Sequence, residues 1–153
     1  MVFRFVWPGK TKNGQLRALA DDYLERLRHF VRCEITEVRA AGDVETTAGI
    51  ELESKRISDR LRPGDFSVLL DSEGVERSSE ALADEIKRWE KEGVKAMTFI
   101  VGGAGGVSAN LRGRISSNWS LSRLTFTHEM ARVLLLEQLY RAYTIARGLP
   151  YQK

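Results

Sequence analysis

Apolar and polar positions along the chain switch between a strand-like and a helix-like period about five times. Val2 to Trp7 reads as a short strand, followed by a loop punctuated by Pro8, Gly9 and Gly14. Leu16, Leu19, Tyr23, Leu24, Leu27 and Phe30 then recur at helical spacing. Cys33 to Val38 predicts a second strand. Residues 46–61 predict a helix with Ile50, Ile57 and Leu61 on one side, stopped by Pro63-Gly64. Phe66 to Asp71 is a nearly continuous apolar run, as in a buried parallel strand, and Ser72-Glu73-Gly74 predicts a turn after it. Ser78 or Ser79 can cap a helix whose face carries Leu82, Ile86 and Trp89, ending near Gly93. Ala96 to Val101 is a further buried strand and runs directly into Gly102-Gly-Ala-Gly-Gly106. A short segment leads to Trp119-Ser-Leu-Ser-Arg-Leu124. A last helix spans about Thr127 to Arg147, closed by Gly148 and Pro150.

Strand and helix in alternation predict an α/β fold: a mostly parallel sheet with helices on both faces. No repeat, low-complexity stretch or linker interrupts it, so residues 1–153 are expected to form a single domain. Hydrophobic residues at 42% and charged residues at 29% are the balance of a globular protein. The start of the chain lacks the apolar core and cleavage site of a secretory signal, and no segment is long enough to cross a bilayer. One cysteine, Cys33, allows no internal disulfide. A cytoplasmic protein with no membrane partner is the expectation.

Charge is uneven. Residues 1–31 carry six basic against three acidic residues, residues 32–109 eleven against sixteen, and residues 110–153 seven against two. A fold that brings the two ends together would present a basic face, which attracts phosphate backbones; a solvated surface with no partner fits the same count.

Three features could carry chemistry. The glycine cluster 102–106 follows a strand, where open α/β sheets bind ligands and where glycine lets backbone approach them. It is neither a P-loop nor a dinucleotide fingerprint, because Val107-Ser108 follows Gly106. A flexible turn is the plainer reading. The Ser/Thr-rich stretch Trp119 to His128 offers free backbone groups to an uncharged heterocycle such as adenine; it also reads as an ordinary connection with Thr127 as N-cap. His128, at a helix start where the dipole disfavours its cation, can be a neutral base or a capping residue. The two distant histidines, without clustered cysteines, form no structural zinc site, and no nucleophile elbow is present. The last helix is apolar nearly all round. It needs partners on two sides, either other helices of this chain or a second subunit.

Taken in order, Leu70-Asp71 with Gly74, Phe99-Ile-Val-Gly-Gly103, Trp119-Ser-Leu-Ser-Arg-Leu-Thr-Phe126, His128, Arg132-Val-Leu, Glu137-Gln-Leu-Tyr-Arg-Ala142 and Pro150-Tyr151 resemble the RlmH-type SPOUT methyltransferases. The similarity covers essentially the whole chain, and its second half is the specific part. It departs at Gly105, Thr127 and Gln152, the last standing where the family usually carries histidine. The resemblance implies a C-terminal trefoil knot, which no periodicity could indicate. It also implies a homodimer, S-adenosyl-L-methionine as methyl donor and N3 of a pseudouridine in 23S rRNA as acceptor. Cofactor contacts are implied at Leu70, Gly102, Gly103, Leu121, Ser122, Arg123, Leu124, Thr125 and Phe126.

For such a reaction the expected catalytic residues are His128 as base or orienting group, Arg141 for RNA phosphate or developing charge, and Tyr151 or Tyr140 against the target base. Arg4, Lys10, Lys12, Arg112, Arg114 and Lys153 are the expected phosphate contacts, and no metal is required. The tail 151–153 is expected to leave the body of the domain and reach the partner subunit's site. The alternative is an RNA- or ribosome-binding protein of the same fold without turnover. A nucleotide-binding enzyme is disfavoured by the missing phosphate signatures.

Overall fold

The computed structural model describes residues 1–151. Its elements are β1 (Val2–Pro8), α1 (Gly14–Arg28), β2 (Arg32–Val38), α2 (Thr47–Ser58), β3 (Phe66–Glu76), α3 (Ser79–Lys91), β4 (Ala96–Ile100), α4 (Ala109–Arg112), β5 (Ser117–Ser120) and α5 (His128–Ala146). Five strands form one sheet in the order β2-β1-β4-β3-β5, and every pairing is parallel. All carboxyl ends therefore lie along one edge, so the loops that follow the strands share one side of the molecule.

Alternation within the strands divides the core between two faces. Phe3, Phe5, Trp7, Val68, Phe99 and Trp119 pack against α1, α3 and α5 in the larger cluster. Val6, Leu69 and Ile100 meet Val38, Ile57 of α2 and Leu111 of α4 in the smaller one. Arg4 and Thr98, on the smaller face, are instead held by polar groups. Arg4 donates to Glu34 at 3.2 Å and to Asp65, and Thr98 donates to the same Asp65 oxygen at 2.8 Å.

Helix starts follow their capping chemistry. Asn13 accepts from Gln15 and Leu16 N–H, Ser78 from Ala81 N–H, and Thr127 from Met130 N–H. Helix α5 lies over the sheet between α1 and α3, and Met130 is its one exposed residue. α1 and α3 thus cover much of its apolar circumference, while Leu134, Tyr140 and Ile145 stay half-buried.

Two expectations are corrected. Ser72-Glu73-Gly74 is not a turn: β3 runs on to Glu76, with its register against Trp119 jumping from Leu70 to Val75. Gly74 makes this bulge possible, since a β carbon there would stand 2.7 Å from the backbone carbons of Asn118 and Trp119. Tyr151 does not leave the body. Leu149 N–H bonds back to Thr144 O at 2.8 Å after the left-handed Gly148, which reverses the chain over α5. Tyr151 then meets Tyr140 edge-on at 4.7 Å, and its hydroxyl donates to Glu137 at 3.0 Å. Gln152 and Lys153 lie outside the described residues.

Candidate active site at the carboxyl ends of the strands

The loops after β3, β4 and β5 and the first turn of α5 enclose a cavity of about 650 Å³. Leu70, Gly102, Gly103, Leu121, Ser122, Leu124, Thr125, Phe126 and His128 line it, together with Asp71 and Arg112. Arg123 does not. It points outward, 92% exposed, and pairs with Glu76 at 3.3 Å.

Local hydrogen bonds shape the walls. Gly106 N–H donates to Gly103 O at 3.0 Å, closing the glycine segment into a tight loop. Ser120 Oγ donates to Ser122 O at 2.8 Å, and Leu124 N–H donates to Ser122 Oγ at 3.0 Å. These bonds hold residues 120–124 in a compact irregular turn along the cavity. Asp71 and Arg112 form an ion pair, and Asp71 also accepts Glu73 N–H at 3.1 Å. Burial would raise the Asp71 carboxyl, but the Arg112 and Glu73 hydrogen bonds outweigh it and hold the group below the usual aspartate range.

Gly103 packs closely against a side chain the sequence did not single out. A β carbon there would lie 2.5 Å from Oε1 of Glu53 and 3.4 Å from Pro8 Cγ. Glu53, only 2% exposed, accepts Ala41 N–H on Oε2 at 2.9 Å. Sequence reasoning missed this carboxylate, although a signal exists. Ile50, Glu53, Ser54 and Ile57 stand at i, i+3, i+4 and i+7, which puts Glu53 on the apolar stripe of α2.

The start of α5 is fixed to the loop after β1. Arg132, fully buried, donates through Nη2 to Pro8 O at 2.6 Å and through Nη1 to Gly9 O at 3.0 Å and Thr11 Oγ1 at 3.2 Å. Its guanidinium lies over the Trp7 ring at 5.0 Å, and burial pushes its pKa down to about 10. Glu129 accepts Lys12 and Asn13 N–H at 3.0–3.1 Å. These ties place His128 at the cavity wall. Burial, and then the charge of Arg132, lower its pKa below the usual 6.5, so the imidazole is neutral at neutral pH.

Arg141 and Tyr151 stand elsewhere. Arg141 is thirteen residues beyond His128 on α5, about 20 Å away at the helical rise. Its Nε and Nη2 donate to Glu137 at 3.0 and 2.7 Å, and its guanidinium lies over the Tyr151 ring at 4.9 Å. One chain therefore does not bring His128 together with Arg141 and Tyr151.

The expected phosphate contacts also separate. Arg4 is committed to Glu34 and Asp65, Arg112 to Asp71, and Arg114 donates to Ser58. Lys153 lies outside the described residues. Cys33 is buried, which pushes its thiol up to about 12 and leaves it unreactive. Among the described residues no group of His, Cys, Asp or Glu could hold a metal ion, and no helix is long and apolar enough to cross a membrane.

Comparison with known proteins agrees with this architecture. A family model described as "Predicted SPOUT methyltransferase" matches residues 1–152. The ribosomal RNA large subunit methyltransferase H of Gloeobacter violaceus is 42% identical over 151 residues, covering 99% of this chain and 98% of that protein. The protein of that name from Desulfotalea psychrophila is 37% identical over 145 residues, covering 95% of each chain. A solved structure, a probable methyltransferase from Bordetella pertussis, superposes with a TM-score of 0.57 at 11% identity, covering 92% of this chain and 95% of its own, a likeness of fold alone. Sequence similarity along the full length, on a parallel sheet with its cavity at the carboxyl edge, places this chain in the SPOUT methyltransferase family.

Proposed function

We propose that the protein methylates N3 of a pseudouridine in 23S rRNA of the large ribosomal subunit, using S-adenosyl-L-methionine bound between the Gly102–Gly106 loop and residues 121–126. The observation that carries this reading is the cavity itself. Its volume of about 650 Å³ suits a ligand of cofactor size, and its lining sets apolar residues beside polar ones such as Asp71, Ser122 and Thr125. Leu70, Leu121 and Phe126 suit an adenine ring, and the irregular backbone of 121–126 supplies groups for its ring edge. The large-subunit rRNA named in the relatives' designations supports the substrate class.

The bound cofactor supplies a methyl group already activated on a sulfonium. The protein's own share is positioning and proton management. The Gly102–Gly106 loop and residues 121–126 would hold the cofactor, leaving the acceptor base to approach from the open side of the cavity. His128, neutral at neutral pH, faces the cavity and can take the N3 proton as the ring nitrogen gains the methyl group. Arg141 and Tyr151 act in the site of a second copy of the chain, since about 20 Å separates Arg141 from His128 of its own chain. The trefoil knot implied by the family, a cytoplasmic location beside the ribosome and the absence of a metal requirement belong to this reading.

A protein of this fold that binds RNA without turnover is the competing reading. The distance of Arg141 and Tyr151 from the cavity is the feature that favours it. Transfer of labelled methyl groups to ribosomes, followed by mapping of the modified base, decides between them. Modification at a single pseudouridine N3 is expected. Cofactor and ribosome binding with no incorporation would overturn the enzyme reading.

A further inference from the structure

Glu53 sits inside α2, 2% exposed, with a single side-chain hydrogen bond among the described residues, from Ala41 N–H to Oε2. Its Oε1 is buried and has no hydrogen-bond partner among the described residues. That oxygen faces Gly103: a β carbon on Gly103 would stand 2.5 Å from it. Gly103 also lines the cavity. Gly103 is therefore in contact range of a buried carboxylate oxygen and also part of the cavity wall.

A carboxylate so placed is costly unless something positive compensates it. The neighbouring charges are already engaged. Asp71 and Arg112 at the cavity wall pair with each other. Arg132 spends its fork on Pro8, Gly9 and Thr11, with Glu129 and Glu37 in its field. His128 is neutral at neutral pH. Glu53 itself is 2% exposed, so its charge is screened less than a surface carboxylate's.

We propose that Glu53 is a specificity determinant that makes the cavity prefer a sulfonium cation over the neutral thioether left after methyl transfer. This rests on the cofactor reading above. In the reaction the methyl group leaves sulfur with its bond replaced by a bond to N3, the N3 proton passes to a base, and sulfur keeps the electron pair of the broken bond. The donor site thus loses one positive charge at the moment of transfer. The attraction to Glu53 vanishes with it, which favours exchange of the spent cofactor for a fresh one.

The test is calorimetry on the full-length protein with S-adenosylmethionine and, separately, S-adenosylhomocysteine. Wild type is expected to bind the sulfonium about tenfold more tightly, equivalent to about 1.4 kcal/mol. Glu53→Gln keeps the acceptor for Ala41 N–H and removes the charge. It is expected to weaken sulfonium binding about tenfold while changing thioether binding less than twofold. An equal loss for both ligands would mean that Glu53 merely shapes the loop, and would overturn the proposal. So would unchanged binding of both. The wild-type arm does not depend on the variant folding: equal affinities, or preference for the thioether, also overturn it. If wild type binds neither ligand, the cofactor reading itself fails, a result distinct from all the others.

Discussion

Arg132 Nη2 donates to the carbonyl of Pro8 at 2.6 Å, joining the last helix to the end of the first strand across 124 residues of chain. The same side chain closes on Gly9 and Thr11, so one guanidinium fixes the loop before α1 and the start of α5 together. Arg132→Leu leaves those acceptors without their donor in a buried setting. A loss of about 3 kcal/mol is expected, read as a lower urea midpoint. Arg132→Lys should recover only part of it, because an ammonium cannot fork onto several carbonyls. Unchanged stability in the leucine variant would contradict the structural role.

His128 gives a pH prediction. Its folded pKa lies below 6.5, so between that value and about 6.5 the unfolded chain binds more protons than the folded one. Stability from this group is complete above about pH 6.5 and declines as pH falls toward the folded pKa. Activity should keep its neutral base over the same range. The midpoint followed by NMR of the His128 ring is expected under 6.5. His128→Gln should lower the methyl-transfer rate by about 100-fold or more and flatten the acid limb of its pH profile. A midpoint above 6.5 would remove the argument.

Gly103→Ala places a β carbon against Glu53 and Pro8. Overpacking of this kind costs about 1–3 kcal/mol and displaces the loop. Cofactor affinity is expected to fall at least tenfold by calorimetry. The double variant with Glu53→Ala should recover part of both losses, because the crowding partner is gone. Wild-type affinity in Gly103→Ala would show that the loop has more room than its neighbours allow.

The proposed sharing of a site between copies can be tested by mixing. Light scattering should give twice the chain mass of 17.3 kDa. His128→Ala and Tyr151→Ala should each be inactive alone. Re-paired at random they form about half mixed dimers, each with one intact site, so about one quarter of wild-type activity should return. No recovery from a mixture that is demonstrably dimeric would place Tyr151 outside the reaction.

Sheet type and the elements up to β4, with the last helix, were legible in the sequence because they follow from period; α4 and β5, only four residues each, are too short to show one. Leu70, the glycine segment and the 121–126 stretch needed the family resemblance to be joined into one site. Three features were not legible. An apolar pattern says that α5 has neighbours but not whose they are, and α1 and α3 fill that place. The polar run after Leu70 reads as a turn because a bulge breaks alternation, although β5 pairs with β3 on both sides of it. Glu53 is silent because its importance comes from Gly103, fifty residues away in sequence and in contact only after folding.

The sheet order also sets a timetable. β1 lies between β2 and β4, so one of its edges is satisfied early and the other waits for residues 96–100. On a ribosome adding about 5–20 residues per second, the roughly 58 residues between Val38 and Ala96 leave that edge open for about 3–12 s. An apolar strand with a bare edge invites pairing with another nascent chain. Arg4 stands in the middle of β1, and a charge within a strand discourages such pairing. The guanidinium that ends in an ion pair with Asp65 is thus already a charge within β1 before its partner strand has been made.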